Sequence, residues 1–150
     1  MNKALKTIVS ILFLALAAMS CKKEQPEIIE YLDVNANNIS GSWELVEWNG
    51  SALQSGTYVF INLVRNDKTY TIYQNMDSFG DIPHTVTGRY YLETDPAIGA
   101  IIRGDYDHDS GDWAHRYIIK ELTATSMIWV AKDDASYVQK FERVESIPVE

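Results

Sequence analysis

Residues 57–74 read TYVFINLVRNDKTYTIYQ, and this stretch decides the fold. Branched and aromatic residues fill both of its halves, as is typical of β-strands. Asn66 and Asp67 separate the halves, and both residue types tolerate the positive φ angles of a two-residue hairpin connection. The stretch therefore predicts two antiparallel strands, 57–64 and 68–74, joined by a tight turn.

Six further runs of the same composition lie on either side of this hairpin. Short breaks that contain Asn, Asp, Gly or Pro separate the runs, and breaks of this length suit antiparallel neighbours. No stretch of ten or more residues after the first 20 has the period of an amphipathic helix, so the strands must cover one another. The six runs are Gly41–Trp48, 85–93, 98–106, 112–122, 126–132 and 136–144.

Together the eight runs predict an all-β fold, an eight-stranded antiparallel up-and-down barrel. Closure of a barrel removes the exposed edge strands that otherwise invite aggregation. A sandwich of seven or eight strands is the alternative interpretation. Sequential hairpins favour the barrel, because each strand can then pair with the next one along the chain.

Composition and charge limit the classes of function. The chain has 150 residues, 46% hydrophobic and 23% charged, which predicts one globular domain. Two of its 13 basic residues are Lys3 and Lys6, so residues 21–150 carry 11 basic and 21 acidic residues and a net charge of −10. This acidic balance argues against a nucleic-acid-binding protein, which would present a basic surface.

The first 20 residues have the pattern of a secretory signal peptide. Lys3 and Lys6 precede an apolar run at 8–18, which is too short to cross the ~30 Å hydrocarbon core of a bilayer. Residues 18–21 read AMSC, which resembles the lipobox of bacterial lipoproteins, where the cysteine is acylated and becomes the mature N-terminus. We therefore expect Cys21 to carry a lipid that anchors the protein to a membrane.

This pattern divides the chain into a signal peptide at 1–20, a lipidated cysteine and tether at 21–38, and a barrel domain at 39–150. Cys21 is the only cysteine, so the domain must be stable without an intramolecular disulfide. The last part of the tether, 31–38, is expected to form a turn or a short 3₁₀ stretch that covers one end of the barrel.

Residues 39–50 read ISGSWELVEWNG and resemble the opening of lipocalin-like lipoproteins from Bacteroidota, whose first strand carries a Gly-x-Trp signature. Here the signature is Gly41, Ser42 and Trp43, and the resemblance covers about residues 31–148. It implies a small barrel that often holds an apolar ligand, anchored in the outer membrane of the cell envelope. It also implies that Arg143, near the end of the last strand, packs over Trp43.

In three of the runs, the alternation of apolar and polar residues indicates which side chains face the barrel interior. These side chains are predicted to line a ligand site. In the run 57–64, apolar residues occupy both parities, so neither face can be assigned from sequence. Trp48, beside the Asn49 and Gly50 turn, is expected at the barrel mouth. The interior is expected to be largely filled, with a small aromatic-lined cavity at most. The predicted lining residues are Trp43, Leu45, Val86, Tyr90, Trp113 and Tyr117.

Four aspartates form the sharpest polar cluster of the sequence: Asp105, Asp107, Asp109 and Asp112. Alternate aspartates supply the oxygen ligands that Ca²⁺ prefers. An EF-hand loop would place glycine sixth and glutamate twelfth, whereas Ser110 and Arg116 occupy those positions. A hairpin turn is therefore favoured over a weak calcium site, and no metal or other cofactor is predicted.

No catalytic motif is present, so the sequence does not predict an enzyme. The histidines, His84, His108 and His115, lack metal-ligand spacing, and no Gly-x-Ser-x-Gly elbow occurs.

Two functions from different classes remain. The preferred one is a lipid-anchored module that binds a small apolar or amphipathic ligand. The alternative is an acidic protein that binds or inhibits a basic macromolecule, such as a lysozyme-type enzyme.

Overall fold

The structure is a computed structural model that describes residues 28–76, 82–108 and 111–148. The predicted signal peptide, Cys21 and Asp109 lie outside these residues. Within them, one short helix, α1 (Ala36–Ile39), precedes the strands. The strands are β1 (Gly41–Trp48), β2 (Ser51–Ala52), β3 (Val59–Val64), β4 (Thr69–Gln74), β5 (His84–Asp95), β6 (Gly99–Tyr106), β7 (Tyr117–Lys120), β8 (Ser126–Ala131) and β9 (Val138–Val144).

Eight of these strands form a closed antiparallel barrel. Each strand from β3 to β8 pairs with the next one along the chain, β1 pairs with β3, and β9 returns to pair with β1. The two-residue strand β2 pairs only with the end of β1. The predicted up-and-down barrel is thus confirmed, its fold is lipocalin-like, and the sandwich is excluded.

The β3–β4 hairpin that the sequence predicts is present, but its connection is longer than predicted. Val64 and Thr69 are the last paired residues, so the connection is four residues, 65–68, rather than Asn66 and Asp67 alone. Lys68 has a φ of 55°. The residue in the left-handed conformation therefore follows the Asn-Asp pair instead of lying within it, which is how longer hairpin loops are closed.

The predicted run 112–122 is mostly irregular, and only Tyr117–Lys120 forms a strand. β6 and β7 share only two Cα partner pairs, Ile101 with Ile118 and Ile102 with Tyr117. Before β7, the Trp113 N–H donates to the Gly104 carbonyl at 2.8 Å. The Trp113 indole lies directly against Gly104, where a Cβ would be 2.3 Å from its ring. The Trp113 ring lines the interior of the barrel. Regular pairing of β6 with β7 ends at Ile102 and Tyr117, and residues 114–116 separate it from the contact of Trp113 with Gly104.

The two ends of the barrel differ. Because successive strands are antiparallel, the β3–β4, β5–β6 and β7–β8 connections share one end, which also carries α1; we call it the closed end. The connections 49–58, 75–83, 107–116 and 132–137 share the other, open end. The closed end is filled by fully buried side chains, namely Ile39, Trp43, Leu63, Tyr90 and Leu122.

The segment before β1 covers the closed end, as the sequence predicts, although its helical turn is α1. The Asn35 side chain caps α1 by accepting from the N–H groups of Asn37 and Asn38 at 2.9 and 3.0 Å. Further upstream, the Leu32 N–H donates to the Leu122 carbonyl in the β7–β8 connection at 2.8 Å. The chain therefore enters the barrel at the closed end.

Candidate functional site

A cavity of about 260 Å³ lies inside the barrel at the open end. Strands β1, β3, β4 and β9 contribute aliphatic, aromatic and amide side chains to its wall, and the irregular segment before β7 contributes three residues. None of the lining residues is Lys, Arg, Asp or Glu. They are Leu45, Trp48, Val59, Ile61, Ile72, Gln74, Tyr106, Trp113, Ala114, His115, Tyr117, Trp129, Tyr137, Gln139 and Phe141.

Aromatic rings dominate this wall and contact one another in a continuous chain. Trp48 meets Tyr137 edge to face, with 5.3 Å between the ring centroids, and Tyr137 meets His115 at 4.8 Å. Deeper in the barrel, Trp129 lies 5.4 Å from Tyr117 and 4.8 Å from Phe141. These separations are those of favourable aromatic pairs. The rings therefore hold one another in place, and the cavity is preformed.

Three tyrosines, Tyr106, Tyr117 and Tyr137, are among the lining residues and bring hydroxyl groups to the cavity. Burial raises the pKa of Tyr106, Tyr117 and Tyr137. The Tyr137 hydroxyl raises the pKa of Tyr117 further, and Tyr106 adds to the pKa rise of both. The three phenols thus lie near one another and are neutral at pH 7. They offer both donors and acceptors to a ligand.

His115 is the only titratable lining residue besides the tyrosines, and its imidazole is hydrogen-bonded to a carboxylate. Its Nδ1 lies 2.9 Å from an Asp133 oxygen in the β8–β9 connection. This hydrogen bond holds the pKa of Asp133 below its usual value. The contact fixes the imidazole at the rim, where its ring continues the aromatic wall towards Tyr137.

Three of the six predicted lining residues line the cavity: Leu45, Trp113 and Tyr117. Trp48, predicted at the mouth, lines it too. Trp43 and Tyr90 do not, and their assignment was wrong. Both face inward as predicted, but they are fully buried at the closed end, because alternation along a strand gives the face of a side chain and not its depth in the barrel.

Val86 does not line the cavity either, so that prediction was also wrong. It lines a separate hollow with Thr85, Tyr106 and His108. Tyr106 lines both hollows and therefore lies between Val86 and the cavity. The side chain of a neighbouring strand separates them, and the sequence pattern of one strand cannot show this.

Sequence reasoning missed most of the remaining wall. For β3 the signal was ambiguous, and the structure resolves it: Val59 and Ile61 face the cavity, so Phe60 lies on the opposite face. Trp129, which is absent from the predicted lining residues, lines the cavity and also packs in the core. Ala114 and His115 lie in the irregular segment before β7, where strand alternation does not apply.

Arg143 and Trp43, which the family resemblance pairs, are in contact at the closed end. The guanidinium carbon of Arg143 lies 4.0 Å from the centre of the Trp43 ring. The Trp43 indole N–H donates to the Ile39 carbonyl at 2.8 Å, which joins α1 to β1. These contacts belong to the closure of the barrel and not to the cavity.

The aspartate cluster is engaged in structural contacts where the structure describes it. The Asp105 carboxylate accepts from the Arg89 N–H and from the Tyr91 hydroxyl, both at 2.9 Å, and Asp105 forms an isolated bridge with Asp112. Asp107 lies in the connection after β6. Within 28–76, 82–108 and 111–148, no three His, Cys, Asp or Glu side chains are placed to hold a metal ion.

The remaining histidines lie apart from each other. His84 Nε2 lies 3.0 Å from the Gln74 amide nitrogen, at the start of β5, and His108 borders the small hollow beside Val86.

No helix in the described part of the chain is both long and apolar enough to cross a membrane.

The class of structure that these observations define is an eight-stranded antiparallel barrel of lipocalin-like fold, with one end closed and an aromatic cavity at the other. No family model, curated protein or solved structure matches the chain. Its function is therefore inferred from the geometry of the barrel.

Proposed function

We propose that the protein binds one small apolar or amphipathic ligand in the cavity at the open end, as a lipid-anchored lipoprotein of the cell envelope. The observation that carries this proposal is the aromatic wall of the cavity, which is preformed by ring contacts. Concave, mostly apolar pockets with a few polar groups are where proteins bind small molecules. The tyrosine hydroxyls, Gln74 and Gln139 are those polar groups.

The volume of the cavity limits the size of the ligand. An apolar cavity of about 150 Å³ is sufficient for benzene, and drug-sized ligands occupy about 300 Å³ or more. At about 260 Å³, the cavity suits a compound of one or two rings rather than a long-chain lipid. The closed end cannot extend it, because Trp43, Leu63 and Tyr90 fill the barrel there.

The position of the tether supports the same function. The described part of the tether begins at Ile28, and its Leu32 N–H donates to the Leu122 carbonyl at the closed end. We propose that a lipid on Cys21 anchors the protein on this side of the barrel, opposite to the cavity. The mouth then faces the aqueous compartment, from which a small ligand enters.

A matched pair of variants on β3 tests the proposal. Val59 lines the cavity, whereas Val64, on the same strand, is 39% exposed at the closed end. Val59→Phe fills the cavity, and Val64→Phe adds the same side chain outside it. Binding of 2-naphthol, a neutral two-ring alcohol, is measured by its fluorescence on titration with the purified full chain.

We expect Val59→Phe to weaken 2-naphthol binding by about tenfold or more and Val64→Phe to leave the dissociation constant unchanged. Both variants must keep the unfolding midpoint of the parent chain to within a few degrees; if Val59→Phe does not, Ile72→Phe fills the cavity from β4. Equal binding by all variants, or no binding by the parent chain, would contradict the proposal.

A further inference from the structure

The cavity has no positive group available for an anionic ligand. Its lining contains no Lys or Arg, and its one imidazole is paired with the Asp133 carboxylate. Among the described residues of the open-end connections there are two basic side chains, Arg116 and Lys132. Both line, with Arg103, a neighbouring hollow that shares Trp113, Ala114 and His115 with the cavity. All three basic side chains are paired with carboxylates of β5: Arg103 with Glu93 at 2.6 Å, Arg116 with Glu93 at 3.6 Å and Lys132 with Asp95 at 3.9 Å.

Negative charge, in contrast, predominates in the connections at the open end. The described parts of the open-end connections contain four carboxylates against the two basic residues, which gives a net charge of −2. The carboxylates are Asp107, Asp112, Asp133 and Asp134. Together with the net charge of −10 on residues 21–150, this field attracts cations towards the opening and repels anions.

The wall itself is suited to a cation that cannot donate hydrogen bonds. An ammonium group within about 6 Å of an aromatic face is attracted by the negative face of the ring, most strongly for Trp and then Tyr. Trp48, Tyr137, Tyr117 and Trp129 present such rings around one small volume. The three neutral phenol oxygens add electronegative atoms without a full negative charge.

We infer that the cavity selects an organic cation, a quaternary ammonium group on a small apolar body, and rejects anionic amphiphiles such as fatty acids. This inference rests on the proposed function and names its ligand class. The apolar body packs against Ile61, Ile72 and Phe141, and the ammonium group lies among the rings nearer the mouth.

Three probes of similar shape and different charge test the inference. They are phenyltrimethylammonium, its neutral isostere tert-butylbenzene, and the anion benzenesulfonate. Each is titrated into the purified full chain with bound 2-naphthol, and displacement of 2-naphthol gives its dissociation constant. Measurements in dilute buffer and at about 1 M salt separate attraction by the rim, which salt screens, from contact with the rings, which it does not.

We expect phenyltrimethylammonium to bind at least about tenfold more tightly than tert-butylbenzene, and benzenesulfonate to bind most weakly. The preference for the cation persists at about 1 M salt. Trp48→Leu removes a ring at the mouth and reduces the preference, whereas Tyr91→Leu, a matched aromatic removal on the outer surface, leaves it unchanged. If Trp48→Leu does not fold, Tyr137→Leu replaces it.

The failures are distinguishable. If tert-butylbenzene or benzenesulfonate displaces 2-naphthol as well as the cation does, the inferred charge selectivity is wrong and the proposed ligand-binding function stands. A preference for the cation that disappears at high salt and is insensitive to Trp48→Leu also overturns the inference, because the rim alone would then explain it. If 2-naphthol itself does not bind, both the inference and the proposed function fail.

Discussion

Arg143 and Trp43 are paired residues of β9 and β1, and the guanidinium of Arg143 lies 4.0 Å from the centre of the Trp43 ring. Arg143 also donates three hydrogen bonds to main-chain carbonyls, to Ala124 at 2.7 Å, Ser40 at 2.7 Å and Asn38 at 2.8 Å. One side chain thus joins the first strand, the last strand, α1 and the β7–β8 connection, and it seals the closed end.

Arg143→Met is expected to lower the free energy of unfolding by about 2–4 kcal/mol, because it removes three charge-assisted hydrogen bonds and the contact with the indole. Trp43→Leu is expected to cost about as much through loss of buried contacts. Urea denaturation of both single variants and the double variant gives their coupling, expected at about 1 kcal/mol. Arg89→Met, on an exposed arginine, is the control. Coupling near zero would show that the contact does not stabilise the closed end.

Gly41→Ala tests why glycine precedes the tryptophan in the Gly-x-Trp signature. Gly41 has a φ of 116°, and a Cβ there would lie 2.7 Å from Nη1 of Arg143. We expect a loss of about 2–3 kcal/mol from backbone strain and displacement of the guanidinium together. Gly50, with a φ of 78° and nothing within 4 Å of a Cβ, is the matched position, and Gly50→Ala is expected to cost about 1 kcal/mol. If Gly41→Ala and Gly50→Ala lowered the free energy of unfolding equally in thermal or urea denaturation, displacement of Arg143 would not contribute to the loss.

The closed end could be predicted from the sequence far better than the cavity. Residue composition and short turns identify the eight strands, and sequential antiparallel strands leave few ways to close a sheet. The family resemblance brings Trp43 and Arg143 together. The depth of a side chain along the barrel axis does not follow from alternation, because the stagger of neighbouring strands sets it. The prediction therefore included Tyr90 among the lining residues and omitted Trp129.

The irregular segment before β7 was the other feature that the sequence could not show. Its alternation resembles a strand, yet residues 114–116 leave the ladder, and the chain returns to β6 where Trp113 packs against Gly104. Whether a large ring packs against a facing glycine depends on the register of two strands, and a pattern within one of them contains no information on it. His115, which this segment brings to the cavity, was missed for the same reason.

Gly104→Ala is expected to displace the Trp113 ring, because a Cβ would lie 2.3 Å from its Cε2. The expected loss of stability is about 1–3 kcal/mol, with a change in the near-ultraviolet circular dichroism of the aromatic wall. Combining it with Trp113→Phe, which removes the clashing atoms, should cost less than the sum of the two single variants. Additive losses would mean that the close approach of Gly104 and Trp113 is absent in solution.

Alkaline pH is expected to destabilise the barrel through its buried tyrosines. The Tyr70 side chain is buried, and this burial is the main reason why its pKa is raised to about 12. The unfolded chain ionises tyrosine near pH 10, so above that pH the unfolded state loses protons that the folded state retains, and stability falls as the pH rises towards 12. For Tyr70 the loss amounts to about 2–3 kcal/mol. Urea denaturation at pH 8 and pH 11 measures the first half of this loss, about 1.4 kcal/mol.

Tyr70→Phe is expected to reduce this alkaline loss without abolishing it, since burial also raises the pKa of Tyr90, Tyr106, Tyr117 and Tyr137. The variant also loses the hydrogen bond from the Tyr70 hydroxyl to the Asp105 carbonyl at 2.8 Å, so its stability at pH 8 serves as the baseline. The same pH dependence in variant and parent would show that Tyr70 titrates normally.

Methyl NMR of the full chain during titration with 2-naphthol tests the central claim most directly, because it locates the ligand within the barrel. Leu45, Val59, Ile61 and Ile72 line the cavity, whereas Ile39, Leu63 and Leu122 lie at the closed end. We predict saturable shifts of the first set, caused by ring currents of the bound ligand, with the second set unchanged. Shifts centred on the closed end, or an absence of saturable shifts in the first set, would contradict a binding site in the open-end cavity.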